Sequence, residues 1–81
     1  MLIPEGDIRY ACIEHGAKAV LKAAHALMAG DSRALVAVGL PEVTDFNDGD
    51  RIGQVAYSAM TPTEREALFA ESAVLLGLRP G

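Results

Sequence analysis

Between Ile8 and Ala29 the apolar residues return every third or fourth position, a spacing that commits much of this chain to an amphipathic helix. Ile8, Cys12, Ala19, Ala23 and Leu27 form the apolar stripe, with Val20 beside them. Glu14, Lys18, Lys22 and His25 lie on another stripe, and Glu14 precedes Lys18 in the favoured acid-before-base order. Pro4, Glu5 and Asp7 mark the entry, because proline is tolerated in a first turn and acids there complement the helix dipole. Gly16 costs about 1 kcal/mol relative to alanine but leaves the period intact, so one continuous helix is predicted up to Gly30, the expected left-handed stop.

The remaining segments are shorter. Asp31-Ser32 offers a cap, and residues 33–40 are predicted as a short helix stopped by Gly39 and Pro41. The alternative is a strand near 34–38, since an apolar run this short has no decisive period. Residues 41–50 are a loop punctuated by Pro41, Asn47 and Gly49. From Arg51 helical spacing resumes, with Ile52, Val55, Ala56, Ala59 and Met60 on one side and Arg51, Gln54 and Ser58 on the other; Asp48 or Asp50 is its natural cap. Thr61-Pro62-Thr63-Glu64 is a capping box with proline at the first helical position. The helix it starts is predicted to run to Leu76, with Gly77 as its stop, Leu78 folding back and Pro80 preventing continuation.

These elements amount to an all-α fold, a compact bundle of three to four short helices in one domain, 1–81; the alternative is α+β with the strand near 34–38. The first and last helices are the expected principal packing pair. Fourteen alanines bury little area each, so the core of an 81-residue chain is thin. The single cysteine forms no internal disulfide, which leaves self-association as the expected remedy. The last helix is apolar on every side at Val74, Leu75 and Leu76, and a homodimer is expected to cover that end.

Chemistry is hard to find. Cys12 and His15 lie one helical turn apart, but two ligands do not make a zinc site, and His25 points elsewhere. The run from Asp45 to Asp50 imitates a calcium loop yet puts glycine at the fifth place and Ala56 where the bidentate glutamate belongs. No nucleophile elbow or glycine-rich phosphate cradle is present. No catalytic residue, metal or cofactor is therefore expected, and the chain is predicted not to be an enzyme.

The charge balance, −4 from seven bases and eleven acids, disfavours direct nucleic-acid binding. A helix-turn-helix built on Gly39 would present Glu42, Asp45, Asp48 and Asp50 to phosphate. No secretion signal is visible, and no apolar run approaches the roughly 18 residues of a membrane span. A soluble, cytoplasmic protein that binds no membrane is expected. The expected function is a small non-enzymatic protein-interaction module, in its sharper form a mobile-element-type inhibitor or adaptor. Its acidic loop, Glu42, Asp45, Asp48 and Asp50, would block a basic, nucleic-acid-binding surface of a larger complex. The alternatives are a self-assembling structural subunit and a metal- or thiol-dependent enzyme.

Overall fold

The computed structural model describes residues 3–75, and these form four α-helices and one 3-10 helix with no strand among them. The helices are α1 (Glu5–His15), α2 (Ala17–Met28), α3 (Asp48–Ala59) and α4 (Pro62–Leu75); the 3-10 helix, Ala34–Val38, lies between α2 and α3. The all-α expectation holds, and residues 34–38 take the tighter helical form instead of the strand. Gly77, Leu78 and Pro80, the expected end of the last helix, lie outside the described residues.

The predicted continuous first helix is two helices. Gly16 has φ +92° and ψ 137°, a conformation closed to residues with a Cβ, and the chain changes direction there. The apolar stripe survives the bend: Ile8, Cys12, Val20, Ala23 and Leu27 are buried and Ala19 packs against the core. The expected Glu14–Lys18 pair does not, because its members now stand on different helices; Lys18 bonds Glu71 of α4 instead. Gly30 does end α2. The amide of Gly30 donates to Leu27 and that of Asp31 to Ala26, the double closure of a Schellman motif. Gly39 closes the 3-10 helix the same way, with its amide bonded to Val36 and that of Leu40 to Leu35.

The main packing pair also differs from expectation. α2 packs most extensively on α3, and α1 and the 3-10 helix complete the layer around α2. The reason is side-chain size. Gly49 and Gly53 of α3 present no side chain toward Leu21, Ala24 and Met28 of α2, so the two backbones come close. Ile8, Val20, Leu27, Leu35 and Ile52, all fully buried, fill the centre. α4 lies at the edge, opened by its capping box and joined to the rest through Arg65 on the Tyr57 and Ser58 carbonyls, Leu68 against the core and the Lys18–Glu71 pair. The box forms as expected: Glu64 N–H donates to Thr61 Oγ1 at 3.1 Å, and Thr61 N–H donates to Glu64 Oε1 at 2.9 Å. The amphipathic side assigned to Arg51 is only partly exposed, since Arg51 reaches across to donate to the carbonyl of Ile3 and pins the N-terminal segment to α3.

Candidate functional site

The loop from Leu40 to Asn47 is held at its base by burial of Leu40 and Val43 and by a hydrogen bond from the amide of Val43 to the carbonyl of Ser32, 3.2 Å. Two apolar plugs and one backbone bond fix a stretch that has no regular structure of its own. Its far end is an Asx turn: Asp45 Oδ1 accepts from the amide of Asn47 at 3.1 Å, while the Asp45 carbonyl accepts from the amide of Asp48.

The four acids separate on this frame. Glu42, Asp45 and Asp50 are exposed, and Asp48 is buried with 8% of its surface accessible. Asp48 opens α3 and Asp50 lies inside its first turn, so neither is the cap; Asn47 precedes the helix without a side-chain capping bond. The carboxylates of Asp48 and Asp50 face the positive end of the helix dipole, which stabilises that end of α3. Asp50 Oδ2 also accepts from Gln54 Nε2 at 3.3 Å. Among the described residues the ion pairs are Glu5–Arg9 and Lys18–Glu71, so no described base neutralises a loop acid.

An aromatic residue stands among these acids that the charge pattern alone did not single out. Phe46 is 42% exposed, between Asp45 and Asn47. An aromatic ring on a loop, bracketed by polar residues and not needed for the core, was the available signal. Asp50 also borders an open groove of about 410 Å³ between α2, α3 and α4, walled by Leu21, Met28, Tyr57 and Leu68.

The metal and thiol candidates do not converge. Cys12 is buried, and burial pushes its thiol up, with Arg9 opposing weakly; a nucleophilic thiolate needs the opposite shift. His15 and His25 are exposed on different helices, and no group of three or more potential ligands gathers among the described residues. Of the residues expected to self-associate, Val74 is 42% exposed on α4. The side chain of Leu75, and Leu76 altogether, lie outside what the structure describes. No described helix is long and apolar enough to cross a membrane. Comparison with known proteins gives no match to a family model, to a characterised protein or to a solved structure.

Proposed function

We propose that this chain is a small non-enzymatic protein-interaction module of the cytoplasm, an inhibitor or adaptor of the kind mobile elements encode. Its acidic loop occupies a basic surface of a larger complex, one that otherwise holds nucleic acid. The observation that supports this reading is the state of Glu42, Asp45 and Asp50: exposed and without an ion pair among the described residues, two of them on a loop tethered at its base and the third on the first turn of α3 beside it. Tethered carboxylates meet a row of Lys and Arg without the ordering cost of a free tail, and opposite charge steers the encounter. Phe46 supplies the apolar anchor beside them. Asp48, being buried, contributes to the helix start and not to the displayed charge.

Affinity capture from the native host, with and without added heparin as a polyanionic competitor, tests the reading. Wild-type protein is expected to retain a partner that heparin displaces, and Glu42→Gln/Asp45→Asn/Asp50→Asn to retain at least about tenfold less. Equal retention by both proteins discards the acidic-occlusion mechanism.

A second reading is self-assembly, as a homodimer or structural subunit. It is favoured by apolar side chains left open on α4, where Phe69 is 64% and Val74 42% exposed. Sedimentation showing only monomer at micromolar concentration rejects it.

A further inference from the structure

Among the described residues most bases of this acidic chain are engaged. Arg9 pairs with Glu5, Lys18 with Glu71, and Arg51 donates to the Ile3 carbonyl. Arg65 donates to the carbonyls of Tyr57 and Ser58, both at 3.1 Å, and covers the Tyr57 ring. Among the described residues the side chains of Lys22 and Arg33 hold no such partner, although Lys22 lies near enough to Glu71 to help lower its pKa. Both border one trough of about 600 Å³ between α2 and the 3-10 helix. Its floor is a carpet of methyl groups from Ala19, Ala23 and Ala26 of α2 and from Ala34 and Ala37. Asp31, the acid on the rim, is engaged by the amide of Arg33 at 3.1 Å. Small side chains let an incoming helix approach closely, and uncommitted cations at the edge select one that carries acids.

The chain itself owns a surface of that description. Glu66, Phe69 and Ala73 of α4 stand at i, i+3 and i+7 and share one strip of the helix. Glu66 is exposed and forms no ion pair among the described residues, and Phe69 is 64% exposed, more than Val74 on the same helix. We infer that the trough receives α4 of a second copy, with the Phe69 ring on the alanine floor and Glu66 against Arg33 and Lys22. This inference rests on the self-assembly reading and supplies the acceptor surface that reading lacks. Charge complementarity carries it: Glu66 on one surface and Arg33 and Lys22 on the other hold no ion pair among the described residues, and their pairing offsets the repulsion between two copies of net charge −4. A reciprocal contact closes a twofold dimer, and a one-way contact builds a chain of copies.

Sedimentation of four samples over about 1–200 µM tests it: wild type, Arg33→Glu, Glu66→Arg, and an equimolar mixture of the two variants. Wild type is expected to associate and each variant to weaken association by about tenfold or more, because reversal sets like charges opposite each other. The mixture is expected to associate again, since every reversed residue then meets its opposite. Both positions are exposed, so both variants are expected to fold, which circular dichroism checks. Variants that associate like wild type overturn the trough but leave self-assembly standing. Monomeric wild type overturns both. Loss of association in the variants without recovery in the mixture overturns the pairing of Glu66 with Arg33.

Discussion

A methyl group added at Gly49 would run into Met28 Cγ and stand 2.9 Å from the carbonyl oxygen of Ala24. The methionine can swing aside, but the Ala24 oxygen belongs to the backbone of α2, so the helices would have to separate. One turn on, a methyl group at Gly53 would meet Leu21 Cδ1 at 3.5 Å and Ala24 Cβ at 3.7 Å, ordinary contact distances. Opposite outcomes are expected from the same substitution. Gly49→Ala should lose about 1–3 kcal/mol through overpacking. Gly53→Ala should gain about 0.5–1 kcal/mol, because alanine is the better helix former and loses less entropy on folding. Urea unfolding of the two variants checks this, and a neutral Gly49→Ala would mean that α2 and α3 are not in close contact. Gly16 acts through conformation and not through space, since nothing lies within 4 Å of where its Cβ would be. Its effect was invisible to periodicity because the apolar stripe continues across the bend with nearly the same phase.

At the scale of elements, what was legible is what is encoded locally. The Thr61–Glu64 box and the stops at Gly30 and Gly39 each depend on a few neighbouring residues, and each forms as the sequence implies. The choice of packing partner depends on which smooth faces meet. In the sequence Gly49 is loop punctuation, whereas α3 begins at Asp48 and takes Gly49 into its first turn. The same distinction governs the acidic site: its charge was readable, whereas the burial of Asp48 and the placement of Phe46 follow from where α3 starts. α4 is tied to α2 by Lys18 and Glu71. The hydrogen bond from Lys18 and its charge hold the Glu71 carboxyl below the usual glutamate range, with a smaller contribution from Lys22. A depressed folded-state pKa means that the pair stabilises above the unfolded pKa, and that this contribution is lost as pH falls through the folded one. Lys18→Met is therefore expected to raise the Glu71 pKa toward its ordinary value, as read by NMR titration of the side-chain carboxyl. Both side chains are about half exposed, so stability at neutral pH should scarcely change. An unmoved Glu71 titration would show that the pair does not persist in solution.

For the whole molecule, the question is whether the acidic loop can be discharged without harming the fold that carries it. The geometry predicts that it can. Glu42, Asp45 and Asp50 are exposed, and the anchors of the loop are Leu40, Val43 and a backbone bond to Ser32, none of which the substitutions touch. Asn at position 45 keeps an oxygen that can accept from the amide of residue 47, and Asn at position 50 keeps an acceptor for Gln54. Some helix-dipole stabilisation at Asp50 is lost, while repulsion among neighbouring carboxylates is relieved. These small terms oppose each other, so Glu42→Gln/Asp45→Asn/Asp50→Asn should stay within about 0.5 kcal/mol of wild type. For a domain of this size that is a shift of about 2–4 °C in the melting temperature. Partner capture should meanwhile fall, since three negative charges leave a chain whose net charge is −4. Thermal melting and capture measured on the same preparations separate the two roles. A melting temperature that drops well beyond this range would assign the carboxylates to folding, and the loop would then owe its acids to helix α3 and not to a partner.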